Sequence, residues 1–181
     1  MVVSDGGVTV SDSPVRSSDL FAGELYDARM EQEGWDCPGF DDNSWKAGIL
    51  SGHDPANLVA QYGEPVRPVL ELPAVGLTVS PKGETILDFG QNLAGVLRVK
   101  TSLPSGAKIV LDHFETLDQH GNYFNNIMMA EKIGRTQRDV YISNGKASFY
   151  QPHFTYHGIS KMASSISVSY THLRAHETSA H

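Results

Sequence analysis

TILDFGQNLAGVLRVK, residues 85–100, is the stretch on which the reading of the whole chain turns. Residues 85–89 form a short apolar run, Gly90 to Asn92 interrupt it, and the run resumes with Val96, Leu97 and Val99. This predicts two strands joined as a hairpin or a tight strand-to-strand corner. A strand with one apolar surface needs a second layer to cover it, so the segment argues for a layered all-β body. Asp88, followed by an aromatic residue and a glycine, reads as a turn acceptor for backbone N–H groups rather than a reactive carboxylate. The best-defined segment is therefore scaffold.

The flanking sequence repeats this pattern. Upstream, Val8 and Val10 alternate with polar residues as in a short strand, and residues 20–27 are an apolar stretch in which Gly23 signals a bulge or a close backbone approach. Residues 48–62 are broken by glycine and proline, which places a boundary near residue 64. Residues 65–73 carry three prolines and read as an extended lead-in, and Val75, Leu77 and Val79 alternate as an edge strand. Downstream, Ile109 and Leu111 are the inward candidates of one strand, and Val140 and Ile142 share a face of another. Asn144-Gly145 is a hairpin signal, with residues 147–150 returning across it, and Phe154 and Tyr156 alternate in a last aromatic strand. About eight short strands and no convincing helix give an all-β fold. The expected division is residues 1–64, 65–163 and a tail at 164–181.

The chain has 181 residues with 14 basic and 21 acidic side chains, a formal charge of −7 that disfavours nucleic acid and anionic membrane as partners. No apolar run is long enough for a transmembrane helix, and the first residues lack a secretory pattern. The single cysteine, Cys37, rules out an intrachain disulfide and is compatible with a reducing compartment such as the cytoplasm. Neither a dinucleotide fingerprint nor a P-loop occurs, so no cofactor is implied.

Reactive constellations are weak. His153, His157, Asp112 and Glu115 make a metal site only on paper, because two histidines four apart in an extended segment do not converge as they do on a helix. No metal ligand is therefore assigned. Glu115 and Asp118 offer a carboxylate pair of the kind a glycosidase needs, with no cleft legible around it. Cys37, beside Pro38 in a turn, has no basic neighbour to activate it. Residues 34–45 mix aromatics with turn formers, and Asp41 and Asp42 are suited to Asx-turns there. Trp35 and Trp45, with Tyr62, are either plugs for the end of a sandwich or a platform on which a sugar stacks.

Five ordered motifs add up to a family resemblance: SDLFAGELYDAR (18–29), GWDCPGFDDNSWK (34–46), PVRPVLEL (65–72), DFGQNLAG (88–95) and QPHFTYHG (151–158). From about residue 8 to residue 158 the chain resembles the N-terminal β-sandwich region of bacterial α-L-rhamnosidases, glycoside hydrolase family 78. The resemblance implies a jelly-roll-like accessory portion followed by a concanavalin-like β-sandwich. It also implies a parent that hydrolyses terminal α-L-rhamnose from glycosides by inversion. In that family the paired carboxylates lie in a large (α/α)6 barrel that follows, so no catalytic residue carries over to these 181. The implied partner is that barrel, with rhamnosylated carbohydrate as its substrate. Without it, apolar surface should be left open and the isolated chain should self-associate.

Beyond residue 158 the family pattern is lost. SYTHLRAHET (169–178) resembles a translated sequencing-adapter tail. The expectation is a reading frame cut short, a last family strand left incomplete, a partner strand with an exposed edge, and a non-native tail that hangs free.

Overall fold

The computed structural model describes residues 6–52, 54–126, 136–164 and 173–179. The all-β expectation holds. In chain order the strands are β1 (Thr9–Val10), β2 (Val15–Asp19), β3 (Gly23–Asp27), β4 (Lys46–Ala47), β5 (Arg67–Pro73), β6 (Gly76–Val79), β7 (Thr85–Thr101), β8 (Lys108–Phe114), β9 (Arg138–Ile142), β10 (Ser148–Tyr150), β11 (His157–Ser164) and β12 (Leu173–Ser179). Single 3-10 turns at Ala28–Met30 and Pro55–Asn57 are the helical elements among the described residues. β1 pairs with β4; the other ten strands form one sheet in the order β2-β3-β9-β8-β11-β7-β12-β5, with β6 and β10 also on β7.

The stretch read as a hairpin or corner is instead one 17-residue strand, β7, and the chain does not reverse in it. Both of its halves pair with β11: Leu93 lies opposite Ile159 and Asp88 opposite Lys161. Residues 89–92 therefore face Ser160 alone, a bulge whose polar residues have the composition of a corner. Gly90 takes φ +76 there, and Asp88 Oδ1 accepts its N–H at 2.8 Å, the turn role expected of Asp88. Ile86 and Leu87 are adjacent, point to opposite faces and are both buried. Leu87 belongs to the main core with Leu97, Leu111 and Ile159, whereas Ile86 packs with Phe114 and Ala163. The sheet is thus covered on both sides at its centre.

Three other expectations change. Asn144-Gly145 does turn, with Gly145 at φ +90, but makes no hairpin, since β9 is already paired on both edges by β8 and β3 and β10 crosses to β7. Phe154 and Tyr156 precede β11 instead of forming a strand. Residue 64 falls between β4 and β5, and the large sheet takes strands from both sides of it, since β3 lies parallel to β9 with Leu25 opposite Val140. Finally, residues 173–179 of the tail do not hang free: β12 pairs antiparallel with β7 on one side and β5 on the other. An unpaired edge accepts any extended backbone able to donate N–H groups, and this segment has neither glycine nor proline. The prolines of β5 fit its place at the end of the sheet.

Candidate functional site

Among the described residues a buried polar grouping lies where β3, β8, β9 and β11 run side by side. His113 from β8, Asp139 from β9 and His157 from β11 are all essentially inaccessible to water. His113 Nε2 stands 3.5 Å from Asp139 Oδ2, and His157 Nε2 stands 3.5 Å from Asp139 Oδ1. The two imidazole rings are 4.2 Å apart between centroids. His113 Nδ1 lies 3.2 Å from the Gln137 carbonyl, which fits an Nδ1–H donor and leaves Nε2 as a lone pair. Asp139 Oδ1 also accepts the Glu24 N–H of β3 at 2.8 Å. Burial pushes the Asp139 carboxyl up, but the His157 hydrogen bond and charges around it leave it below the usual carboxylate range. Burial likewise drives His113 down to about 4, so it is neutral near pH 7.

Glycine makes this approach of strands feasible. A Cβ on Gly23, at φ +94, would lie 2.2 Å from the Arg138 carbonyl oxygen and 2.8 Å from Asp139 Oδ1. The close backbone contact expected of Gly23 is therefore the β3–β9 pairing beside the buried carboxylate. Glu24, next in sequence, is itself buried. Its carboxylate accepts the His153 N–H at 2.9 Å and the Tyr150 hydroxyl at 3.3 Å, and it faces His153 Nδ1 at 3.1 Å. The Glu24 bond raises the His153 pKa against an opposing effect of burial. Tyr26 stacks on His153 at 5.3 Å and against Tyr141 at 6.1 Å, closing this second cluster with aromatic surface.

Side chains singled out in the sequence end up elsewhere. Asp112 forms a two-pronged pair with Arg138 at 2.7 and 3.0 Å, and Glu115 accepts from Asn92 and Asn126 near the surface. The paper grouping of His153, His157, Asp112 and Glu115 is thus split between separate partners. Asp118 accepts the backbone N–H groups of His120 and Asn122, each at 2.8 Å, as a turn cap. Cys37 is an exposed free thiol. Trp45 is half-buried against Phe40 at 5.6 Å and donates Nε1–H to Gln32 Oε1, the plug geometry. Trp35 and Tyr62 are exposed, at 62% and 97%.

Sequence reasoning missed Asp139. In β9 the apolar alternation put Val140 and Ile142 on one face, yet these are half-buried while Asp139 and Tyr141 on the other are fully buried. The strand is central and covered on both faces, so alternation did not say which face was drier. Its sole local hint was a carboxylate on the more strongly buried face of a β-branched strand.

Residues 1–69 match the α-L-rhamnosidase N-terminal domain, and residues 78–160 match the bacterial α-L-rhamnosidase concanavalin-like domain. The chain belongs to the bacterial α-L-rhamnosidase family. An α-L-rhamnosidase of Streptomyces avermitilis is 40% identical over 150 residues, covering 82% of this chain and 14% of that protein. One from Alteromonas sp. strain LOR is 30% identical over 159 residues, covering 87% of this chain and 17% of that one. The native α-L-rhamnosidase of Aspergillus terreus superposes with a TM-score of 0.86 at 28% identity, over 99% of this chain and 21% of that one. The S. avermitilis α-L-rhamnosidase solved with L-rhamnose gives a TM-score of 0.84 at 33% identity, over 95% and 17%. The α-L-rhamnosidase relatives are therefore far longer than these 181 residues, which correspond to their N-terminal β region.

Proposed function

We propose that these residues are the non-catalytic N-terminal β region of an α-L-rhamnosidase and that the whole protein hydrolyses terminal α-L-rhamnose from glycosides by inversion. One carboxylic acid would protonate the leaving oxygen while a second carboxylate activates water on the opposite face of the sugar. Both would come from an (α/α)6 barrel encoded outside this sequence. The observation that carries the reading is the two adjacent β-domain matches in a chain that spans only 14% and 17% of its curated relatives. The local duties of Glu115 and Asp118 agree with it, since each is held by neighbouring amides or N–H groups. Along β6, Leu77 and Val79 are exposed with Val75 before them, apolar surface suited to packing against the barrel.

Incubating the 181-residue chain with an aryl α-L-rhamnoside should give only the background rate, while the longer gene product should turn it over. Turnover by the purified short chain would overturn the scaffold assignment. Light scattering should show concentration-dependent self-association of the short chain; a monomer at high concentration would count against a large uncovered interface.

A second reading rests on the exposure of Trp35 and Tyr62: a carbohydrate-contacting corner, with Trp45 as its half-buried base. Titration with rhamnose or a rhamnosylated oligosaccharide should then quench or shift tryptophan emission, and a flat titration at millimolar sugar would remove it.

A further inference from the structure

We infer that His113, Asp139 and His157 form a structural binding site for a divalent zinc-like cation that is acquired as the chain folds. The three residues come from three neighbouring strands, each is buried, and one ligand atom from each lies within 4.8 Å of the others. Each also carries a buried polar atom with no hydrogen-bond partner: His113 Nε2, Asp139 Oδ2 and His157 Nδ1. Orphaned buried polar atoms are costly and rare, and two of these, His113 Nε2 and Asp139 Oδ2, face each other at 3.5 Å with nothing between them to satisfy either.

The spacing fits a cation better than direct hydrogen bonds. Both histidine–carboxylate separations are 3.5 Å, His113 to Oδ2 and His157 to Oδ1, within ion-pair reach and at the long limit of a hydrogen bond. Metal–ligand bonds of about 2.1 Å at a tetrahedral angle of about 109° hold two ligand atoms about 3.4 Å apart. Two imidazoles and one carboxylate are a donor set that zinc and its late first-row neighbours accept, while magnesium and calcium prefer oxygen alone. His113 further has the outer contact such ligands use, its Nδ1 facing the Gln137 carbonyl at 3.2 Å. Thr155 Oγ1, also buried, stands 3.5 Å from His157 Nε2 as a further oxygen at the same centre. A cation here would join β8, β9 and β11 and, through the Asp139–Glu24 bond, hold β3 against them. Because the centre is closed to water, loading would accompany folding rather than follow it.

The test is refolding of the full chain from denaturant after chelation, with and without zinc, followed by gel filtration and elemental analysis. About one zinc per chain and a raised melting temperature are expected. Cobalt loaded in the same way should show the visible ligand-field bands of a low-symmetry nitrogen and oxygen site. Asp139→Asn and His113→Gln should each lower metal retention by at least about tenfold. His172, His176 and His181 are other imidazoles, so a variant with all three changed to alanine is run beside them. It should keep its zinc. Loss of zinc from that variant, retention in Asp139→Asn, or no metal above background in the refolded parent would each overturn the site. The cobalt spectrum of the parent decides the matter even where a core variant fails to fold.

Discussion

The corner at residues 34–62 and the seam where β3, β8, β9 and β11 meet contrast in what holds them. The corner is conspicuous in sequence, rich in tryptophan, aspartate and glycine, yet Trp35, Ile49, Leu50, Val59 and Tyr62 are exposed. Its best-anchored ring, Trp45, is fixed by Phe40 and Gln32 from nearby in the chain. The seam is inconspicuous, four polar residues scattered from Glu24 to His157, and each is buried against strands far apart in sequence. Contact between distant segments, rather than striking composition, marks where a side chain's identity matters.

The sharpest way to break the contrast is Asp139→Ala. It removes the acceptor of the Glu24 N–H and the counter-group of two buried imidazoles, and should cost about 3–5 kcal/mol in chemical denaturation. A loss below about 1 kcal/mol would mean the seam is no more constrained than the surface. Gly23→Ala comes next. The new methyl would meet the Arg138 carbonyl at a φ that L-residues avoid, and about 3 kcal/mol should be lost. Protection of the β3–β9 amides from hydrogen exchange should fall with it, and unchanged protection there would show that this pairing tolerates a side chain.

A smaller effect is expected from pH at His153. Its folded pKa lies above the ordinary value because Glu24 bonds to it, so the contribution is complete below about pH 6 and fades as pH rises through the folded value. The stability gap between the parent and His153→Gln should therefore narrow from about pH 6 towards pH 8.5. Half of the His153 side chain is exposed, so solvent screening keeps this term modest. A gap that widens with pH would reverse the assigned sign. The least effect belongs to the corner: Trp35→Ala should shift stability by no more than about 0.5 kcal/mol, and a larger loss would show that the ring is packed in solution.

The family motifs, the strand-rich body and the role of Asp88 were legible because each depends on residues close together in sequence. Asp88 needs only Gly90 two residues on. The errors share an origin too. The bulge at residues 89–92 looks like a corner until β11 is known to pair with both halves of β7. The turn at Asn144-Gly145 looks like a hairpin until both edges of β9 are seen to be taken. β12 could be placed only once the open edges of β7 and β5 were known.

By itself, then, the amino-acid order determined the local chemistry: which residues turn, which alternate, and which family carries such motifs. Only the tertiary structure decided partnership, bringing His113, Asp139 and His157 within reach of one another and laying Glu24 beside them. The physical reason is that side-chain alternation repeats identically along any strand, whereas the neighbour a strand acquires depends on which backbone edges the rest of the fold leaves unpaired.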